Sequence, residues 1–282
     1  MKKRLAVIGA GPIGLEAALA AQFRGYEVEV YELGGIADSV RKWGHVRMFS
    51  PFGLNASSAG IALLRARGKR VPAPDALLTG AEFAGLYLEP LAANLDLPIH
   101  CGAEVMAIGR DATAKTEKIG MPERAGSPFR LLVRQGRSER FQAADLVFDC
   151  SGTFRTPNPL GDGGIPAAGE SAHREFISYG MPDAGAFAGQ RVLVAGGGHS
   201  AATAVCDLAR LSGTQITWAV RQPAARPCAQ IPNDPLPARA ALAAAANALA
   251  RGRIDFRPGA AVETVSKNGA GVEVIFRRAG GR

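Results

Sequence analysis

The chain has 282 residues, of which 47% are hydrophobic and 21% charged, and a formal net charge of +8. This is an ordinary globular balance with enough length for two domains. The positive charge suits polyanionic ligands but does not indicate nucleic acid or an anionic membrane, because no basic run is interleaved with aromatics and the longest consecutive run is Lys2-Lys3-Arg4.

The N-terminus imitates a secretory signal, with three cations, an apolar stretch and Ala18-Leu19-Ala20. Gly9, Gly11, Pro12 and Gly14 interrupt that stretch, and they are better read as a turn. Arg4 to Ile8 reads as a buried parallel strand. Gly9-Ala10-Gly11-Pro12-Ile13-Gly14 follows as a tight turn, and a helix runs to about Arg24, with Gly25 as its left-handed cap. Tyr26 to Tyr31 alternate as a second strand ending at Glu32, 18 positions after Gly14. Gly9 and Gly11 allow a pyrophosphate to approach the backbone, Gly14 lets helix pack on sheet, and an acid at Glu32 would accept hydrogen bonds from ribose hydroxyls.

Beyond Gly34-Gly35 lies Trp43-Gly44-His45-Val46-Arg47-Met48-Phe49-Ser50-Pro51. Ile99 to Val105 leads into a hairpin, Phe129 to Arg134 and Arg140 to Ala143 around Gly136, and then into a strand Asp145 to Cys150. A second glycine turn, Gly196-Gly197-Gly198-His199-Ser200-Ala201, follows the strand Arg191 to Ala195 and opens a helix to about Ser212, capped by Gly213. The strand Gln215 to Val220 ends at Arg221, in the place of Glu32, with Arg226 five residues on. An acid there would repel a 2′-phosphate and a guanidinium would bind it, so this pair favours NADPH over NADH. Ala240 to Ala250 reads as a short helix. Ile254 to Val262 repeats Ile99 to Val105, Asn268-Gly269 is a turn, and Val272 to Arg277 match the first hairpin strand. If this repeat is real, the second unit lacks its returning hairpin strand and the strand matching Asp145 to Cys150, and the chain is expected to be a fragment, or a product truncated within its second domain; the alternative is a second domain with a shorter sheet.

Cys101, Cys150, Cys206 and Cys228 are widely separated, so no Cys-x-x-Cys pair is present and no zinc spacing arises. His45, His100, His173 and His199 are equally dispersed, and no metal site is expected. No apolar run reaches membrane-spanning length, which leads to the expectation of a soluble cytoplasmic protein without membrane or nucleic-acid partner.

These motifs resemble the two-dinucleotide-binding-domain flavoproteins, the group of flavin-containing, Baeyer–Villiger and N-hydroxylating monooxygenases and thioredoxin-reductase-like enzymes. The resemblance covers nearly the whole chain. It implies an α/β fold: a Rossmann-like FAD-binding domain over residues 1–157 and an inserted Rossmann-like NAD(P)H-binding domain over 158–282, each with a small antiparallel hairpin or meander. It assigns FAD to Gly9, Gly11, Pro12, Gly14 and Glu32, and NADPH to Gly196, Gly198, His199, Ser200, Ala201, Arg221 and Arg226. Cys150-Ser151-Gly152-Thr153-Phe154-Arg155-Thr156-Pro157 is similar to the family's Ala-Thr-Gly-x-x-x-x-Pro crossing between the domains, with Gly152 in the cofactor site. Arg41, Lys42 and Arg47 would meet the flavin pyrophosphate and Trp43 and Phe49 border the ring, or this loop simply closes the core.

Gly169 and His173 have the Gly-x-x-x-His spacing of the monooxygenase fingerprint, although Ala167 and Ile177 stand where aromatics are usual. The resemblance therefore implies an FAD- and NADPH-dependent monooxygenase that oxygenates a small nucleophilic or carbonyl substrate with dioxygen through a flavin peroxide. The alternatives are a reductase without a dithiol and a non-catalytic nucleotide-binding or redox-sensing module. No catalytic side chain is assigned, since the cofactor carries the chemistry.

Overall fold

A computed structural model describes residues 2–278, so the expected domain end at Arg282 lies outside the described residues. The chain divides into two units, Met1–Arg155 and Thr156–Arg282.

In the first unit, β1 (Arg4–Ile8), α1 (Pro12–Phe23) and β2 (Glu27–Glu32) follow the expected strand-turn-helix-strand order. Gly25, at φ +80°, ends the helix. The chain then passes through α2 (Asp38–Arg41), α3 (Phe52–Asn55), α4 (Ser58–Ala66), α5 (Gly80–Phe83), a π-helical turn (Ala84–Leu88) and α6 (Glu89–Asn94). Next come β3 (Ile99–Cys101), β4 (Ala103–Arg110), α7 (Pro122–Gly126), β5 (Phe129–Gln135), β6 (Ser138–Ala144) and β7 (Leu146–Asp149). The parallel sheet has the order β3-β2-β1-β7, and β4-β5-β6 form an antiparallel meander.

Strand alternation assigns the two faces of this sheet. Leu5, Val7 and Val30 join Leu15, Leu19, Leu64, Phe52 and Tyr87 in a core under α1, α4 and α6. Ala6 and Tyr31 face the other way, onto Leu131 and Val133 of the meander. Glu16 ties the helical layer together by accepting from the Ser57 amide at 3.1 Å and from the buried Tyr87 hydroxyl. Burial, and then the Glu16 carboxylate, push that phenol well above its usual range.

The second unit contains β8 (Arg191–Ala195), α8 (His199–Leu208), β9 (Gln215–Val220), α9 (Pro237–Ala250), β10 (Asp255–Pro258), β11 (Ala260–Asn268) and β12 (Gly271–Arg278). Its parallel sheet has the order β10-β9-β8, beside the hairpin β11-β12. The helix expected to reach Ser212 stops at Leu208, and non-helical turns carry the chain to Gly213 at φ +73°. Trp218, Val205, Ala202 and Ala246 form its main core.

The sequence repeat is also a structural one. Gly102 and Gly259, at φ +67° and +66°, each join the third parallel strand to the first antiparallel one. A side chain at that backbone angle would be strained, so glycine stands there twice. Register shifts between Val105 and Ala107 and between Val262 and Thr264 fall at matching positions. Among the described residues the second unit has no counterpart of β6 or β7. No described helix is long and apolar enough to cross a membrane.

Candidate functional site

Each glycine turn sits at the carboxyl end of its parallel sheet, where open α/β sheets bind ligands. In the first, the Gly9 amide donates to the Tyr31 carbonyl at 2.7 Å, and Gly9 adopts φ +101°. A Cβ on Gly9 would come within 2.6 Å of the Cys150 carbonyl oxygen, and one on Gly14 would run into the Gly9 carbonyl. Gly11 differs, because a Cβ there meets nothing within 4 Å. Gly9 and Gly14 are thus required by the fold itself, while the space over Gly11 is open to a ligand. Gly11 is the extended N-cap of α1, Pro12 opens the helix, and neither a side-chain cap nor an acid occupies the first turn. Helix-start amides without a side-chain cap are of the kind that bind anions.

Glu32 closes the turn from the strand end. Its Oε2 accepts from the Ala10 amide and its Oε1 from the Gly34 amide, both at 2.7 Å. Each carboxylate oxygen keeps a further acceptor site. Gly152, at φ +69°, follows Ser151, whose amide and hydroxyl both donate to Asp149 at 3.1 and 2.6 Å. These bonds hold the Asp149 carboxyl below its usual range.

The loop after β2 does not present its cations unpaired. Arg41 pairs with Glu89, and Lys42 with Asp38 at 2.7 Å. Arg47 donates to the Leu77 carbonyl at 2.7 Å and to Glu82 at 3.1 Å. Glu82 also closes the capping box of α5 with Thr79, which holds its carboxyl down. Trp43 packs against the core beside Val40 and Gly80.

The second turn reproduces the first with different supports. The Gly196 amide donates to the Ala219 carbonyl at 2.9 Å, and Gly196 adopts φ +116°. The buried Trp218 indole donates to the Gly196 carbonyl at 2.8 Å, a contact with no signal in the sequence. Gly198 is an extended N-cap without a side-chain bond, and His199, Ser200 and Ala201 form the first turn of α8. A cavity of about 70 Å³ adjoins His199, lined also by Gln230, Ile231, Asp234 and Arg239. Arg239 holds Asp234 at 2.6 and 2.9 Å and keeps that carboxyl below its usual range.

Register corrects one assignment. Ile8 pairs with Tyr31 and Ala195 with Ala219, so the counterpart of Glu32 is Val220, not Arg221. Val220 is buried, with a methyl group beside Gly197, and Arg221 leaves the sheet one residue later. There its Nη1 donates to the Gly161 carbonyl at 3.2 Å. Arg226 donates to Gln230 Oε1 at 2.7 Å. The strand end thus lacks the carboxylate that would repel a phosphate, and two exposed guanidiniums follow it.

Gly169 has a packing role, and His173 is tied to it through the backbone. Gly169, at φ +82°, lies against the Val265 carbonyl, and the His173 amide donates to the Gly169 carbonyl at 3.1 Å. The four cysteines are free, and burial raises the thiols of all four. Among the described residues no group of three or more His, Cys, Asp or Glu could hold a metal ion.

Residues 6–119 match the family model described as pyridine nucleotide-disulphide oxidoreductase. A ferredoxin–NADP reductase of Saccharopolyspora erythraea is 33% identical over 199 residues, 70% of this chain and 47% of that protein. The chain thus spans about half the length of this curated relative. Among solved structures, bacillithiol disulfide reductase Bdr from Bacillus cereus has a TM-score of 0.70 at 19% identity, covering 99% of this chain and 76% of its own. The FAD-bound cadaverine monooxygenase DfoA from Erwinia amylovora has a TM-score of 0.67 at 15% identity, with coverages of 99% and 76%. The thioredoxin reductase of T. acidophilum has a TM-score of 0.61 at 20% identity, with coverages of 98% and 71%. At these identities the likeness is one of fold. The chain has the mixed α/β fold of the two-dinucleotide-binding-domain flavoproteins.

Proposed function

We propose, for a chain with this flavoprotein fold, that the first unit holds FAD, the second holds NADPH, and the protein is an oxidoreductase that moves a hydride from nicotinamide to flavin. The observation that carries this reading is the contrast between two equivalent strand ends, Glu32 in one and Val220-Arg221 in the other. A carboxylate suits ribose hydroxyls, whereas an apolar residue followed by arginine suits a 2′-phosphate. FAD, when bound, supplies the capacity to take two electrons from a nicotinamide and release them to an acceptor.

The residues of this chain bind and orient. Gly9, Gly11 and Gly14, with the start of α1 at Pro12, would receive the flavin pyrophosphate, and Glu32 and Gly152 would border the same ligand. Gly196, Gly198, His199, Ser200 and Ala201 would receive the nicotinamide pyrophosphate, and Arg221 and Arg226 its 2′-phosphate. Contacts from Arg41 and Arg47 to the flavin pyrophosphate require exchange of Glu89 and Glu82 for phosphate.

For the fate of the electrons, we favour reduction of an acceptor without oxygen insertion, on the 33% identity with a ferredoxin–NADP reductase. The second reading is oxygenation of a small substrate by dioxygen. The Gly169-to-His173 spacing supports it, but the packing of Gly169 on Val265 accounts for the same glycine. A cytoplasmic location belongs to the proposal too. Purified protein saturated with FAD tests both readings: NADPH oxidation should reduce an added one-electron acceptor under nitrogen. Failure to retain flavin would overturn the proposal, and NADPH oxidation that required dioxygen and yielded an oxygenated product would establish the second reading.

A further inference from the structure

We infer that Glu170 and Asn247 are positioning residues that preset Arg221 and Arg226 for a 2′-phosphate, so that the second unit's choice of nicotinamide is built into its loops before ligand arrives. The inference rests on the reading of the second glycine turn as an NADPH site. By whole-residue exposure these two are the buried polar or charged residues among those described, at 2% and 5%, although the Asp234 side chain, paired with Arg239, is covered to a similar degree. Burying such groups is costly unless every donor and acceptor is used, so what they bond to has been specified at the expense of an apolar core.

Glu170 gathers the loop of residues 160–170. It accepts from the Leu160 amide at 3.0 and 3.1 Å, from the Ala167 amide at 2.7 Å and from the Tyr179 hydroxyl. Burial alone would raise its carboxyl, but Tyr179 and the backbone amides outweigh this and hold it below the usual range. Ala168 then joins the loop to β11, donating to the Glu263 carbonyl at 2.9 Å and accepting from the Val265 amide at 2.8 Å. Within the closed loop Gly161 has no room for a Cβ, which would meet Ile165 and Ala167 backbone. Its carbonyl is the one that receives Arg221.

Asn247 performs the same task from α9. Its Oδ1 accepts from the Cys228 amide and its Nδ2 donates to the Cys228 carbonyl, both at 3.0 Å. This clamps the loop two residues after Arg226. The clamp also holds the Pro227 carbonyl near Gly197 of the glycine turn.

Neutral partners are not peculiar to these two arginines, since Arg124, Arg140 and Arg174 also donate to carbonyl or amide oxygens; what is particular to Arg221 and Arg226 is that they follow the strand end of the second turn. Arg41, Arg47 and Arg239 are paired with carboxylates. Arg221 and Arg226 rest instead on neutral oxygens, of Gly161 and Gln230. The nearby Asp162 carboxylate takes the Gly163 amide at 2.9 Å and pairs with Arg277, and it is also attracted to Arg221 without a direct ion pair. A neutral acceptor restrains a guanidinium without cancelling its charge, and restraint before binding lowers the ordering cost of capturing a phosphate.

The test is calorimetric titration of the full chain with adenosine 2′,5′-bisphosphate and with 5′-AMP, neither of which requires bound flavin. Arg221→Ala should lower the affinity ratio of bisphosphate to AMP by about tenfold or more, the worth of a charged hydrogen bond. Glu170→Gln, which turns an amide donor toward backbone donors, and Asn247→Asp, which turns an oxygen toward a carbonyl, should each lower the ratio about three- to tenfold with AMP affinity unchanged. Tyr179→Phe removes a single bond to Glu170 and should lower it about twofold, which keeps the test available if Glu170→Gln fails to fold. If Arg221→Ala collapses the ratio while the other variants leave it intact, the inference is overturned and both buried groups serve folding alone. A parent chain that does not prefer the bisphosphate, or an Arg221→Ala variant with an unchanged ratio, instead overturns the NADPH reading.

Discussion

Glu32→Gln is the substitution whose consequences follow most directly from the first turn. The carboxylate accepts one amide on each oxygen, at 2.7 Å from Ala10 and from Gly34. Glutamine keeps one acceptor and points an NH₂ at the other amide, so one charge-assisted bond is lost and a donor faces a donor. Such a bond contributes about 1.5–3 kcal/mol, and the half-buried position of Glu32 calls for the lower end, about 1.5 kcal/mol. In a domain of this size that corresponds to a fall in Tm of about 3–6 °C for the free chain. Because the same carboxylate would receive the ribose hydroxyls, FAD affinity should fall about tenfold beyond the stability effect. Thermal unfolding without ligand and quenching of flavin fluorescence on titration measure the two effects separately. A variant that melts with the parent and binds FAD equally well would refute the role assigned to Glu32 in both states.

Four further outcomes are expected. Gly14→Ala, whose methyl meets the Gly9 carbonyl, should destabilise the free chain by about 1–3 kcal/mol, whereas Gly11→Ala, with open space above it, should leave Tm unchanged and weaken only FAD binding; equal melting of the two variants would remove the distinction. Trp218→Phe leaves the Gly196 carbonyl without its donor and should cost about 1–3 kcal/mol, read from urea unfolding, while retention of parental stability would show that water replaces the indole. At neutral pH the four thiols, raised by burial, should react more slowly with iodoacetamide than a free cysteine, and rapid modification of any one would contradict its environment. The depressed Glu170 carboxyl contributes stability that is present above the ordinary carboxylate range and lost as pH falls through its folded value; melting should therefore decline as pH falls below about 5, less steeply in Glu170→Gln, and parallel curves would refute the contribution.

Much of the framework is legible along the chain. The strands β1, β8 and β9 have the expected limits, both glycine turns open helices, and Gly25, Gly136 and Gly213 adopt the positive φ that their positions suggest. The repeated segment after each third parallel strand extends to a matching glycine and a matching irregularity. The end of α8 is less legible, because the apolar pattern through Leu211 continues after the helix has become a turn. Arg221 lies one position beyond its expected place because a strand end read from composition carries no register, and only the pairing of Ala195 with Ala219 supplies it. Glu170, Asn247 and Trp218 gave no local signal. A buried acid, amide or indole looks like any other until its partner is known.

What the sequence by itself determined is what short-range physics controls: period-2 apolar runs, glycines where the backbone turns left-handed, and helix starts left open to an anion. The tertiary structure decided which charges are already satisfied. Arg41 meets Glu89 across 48 residues and Arg221 meets Gly161 across 60. No spacing rule reaches that far, because packing of whole elements brings those partners together. The same packing leaves the second strand end with two arginines resting on neutral oxygens, while the first loop's arginines are paired with acids.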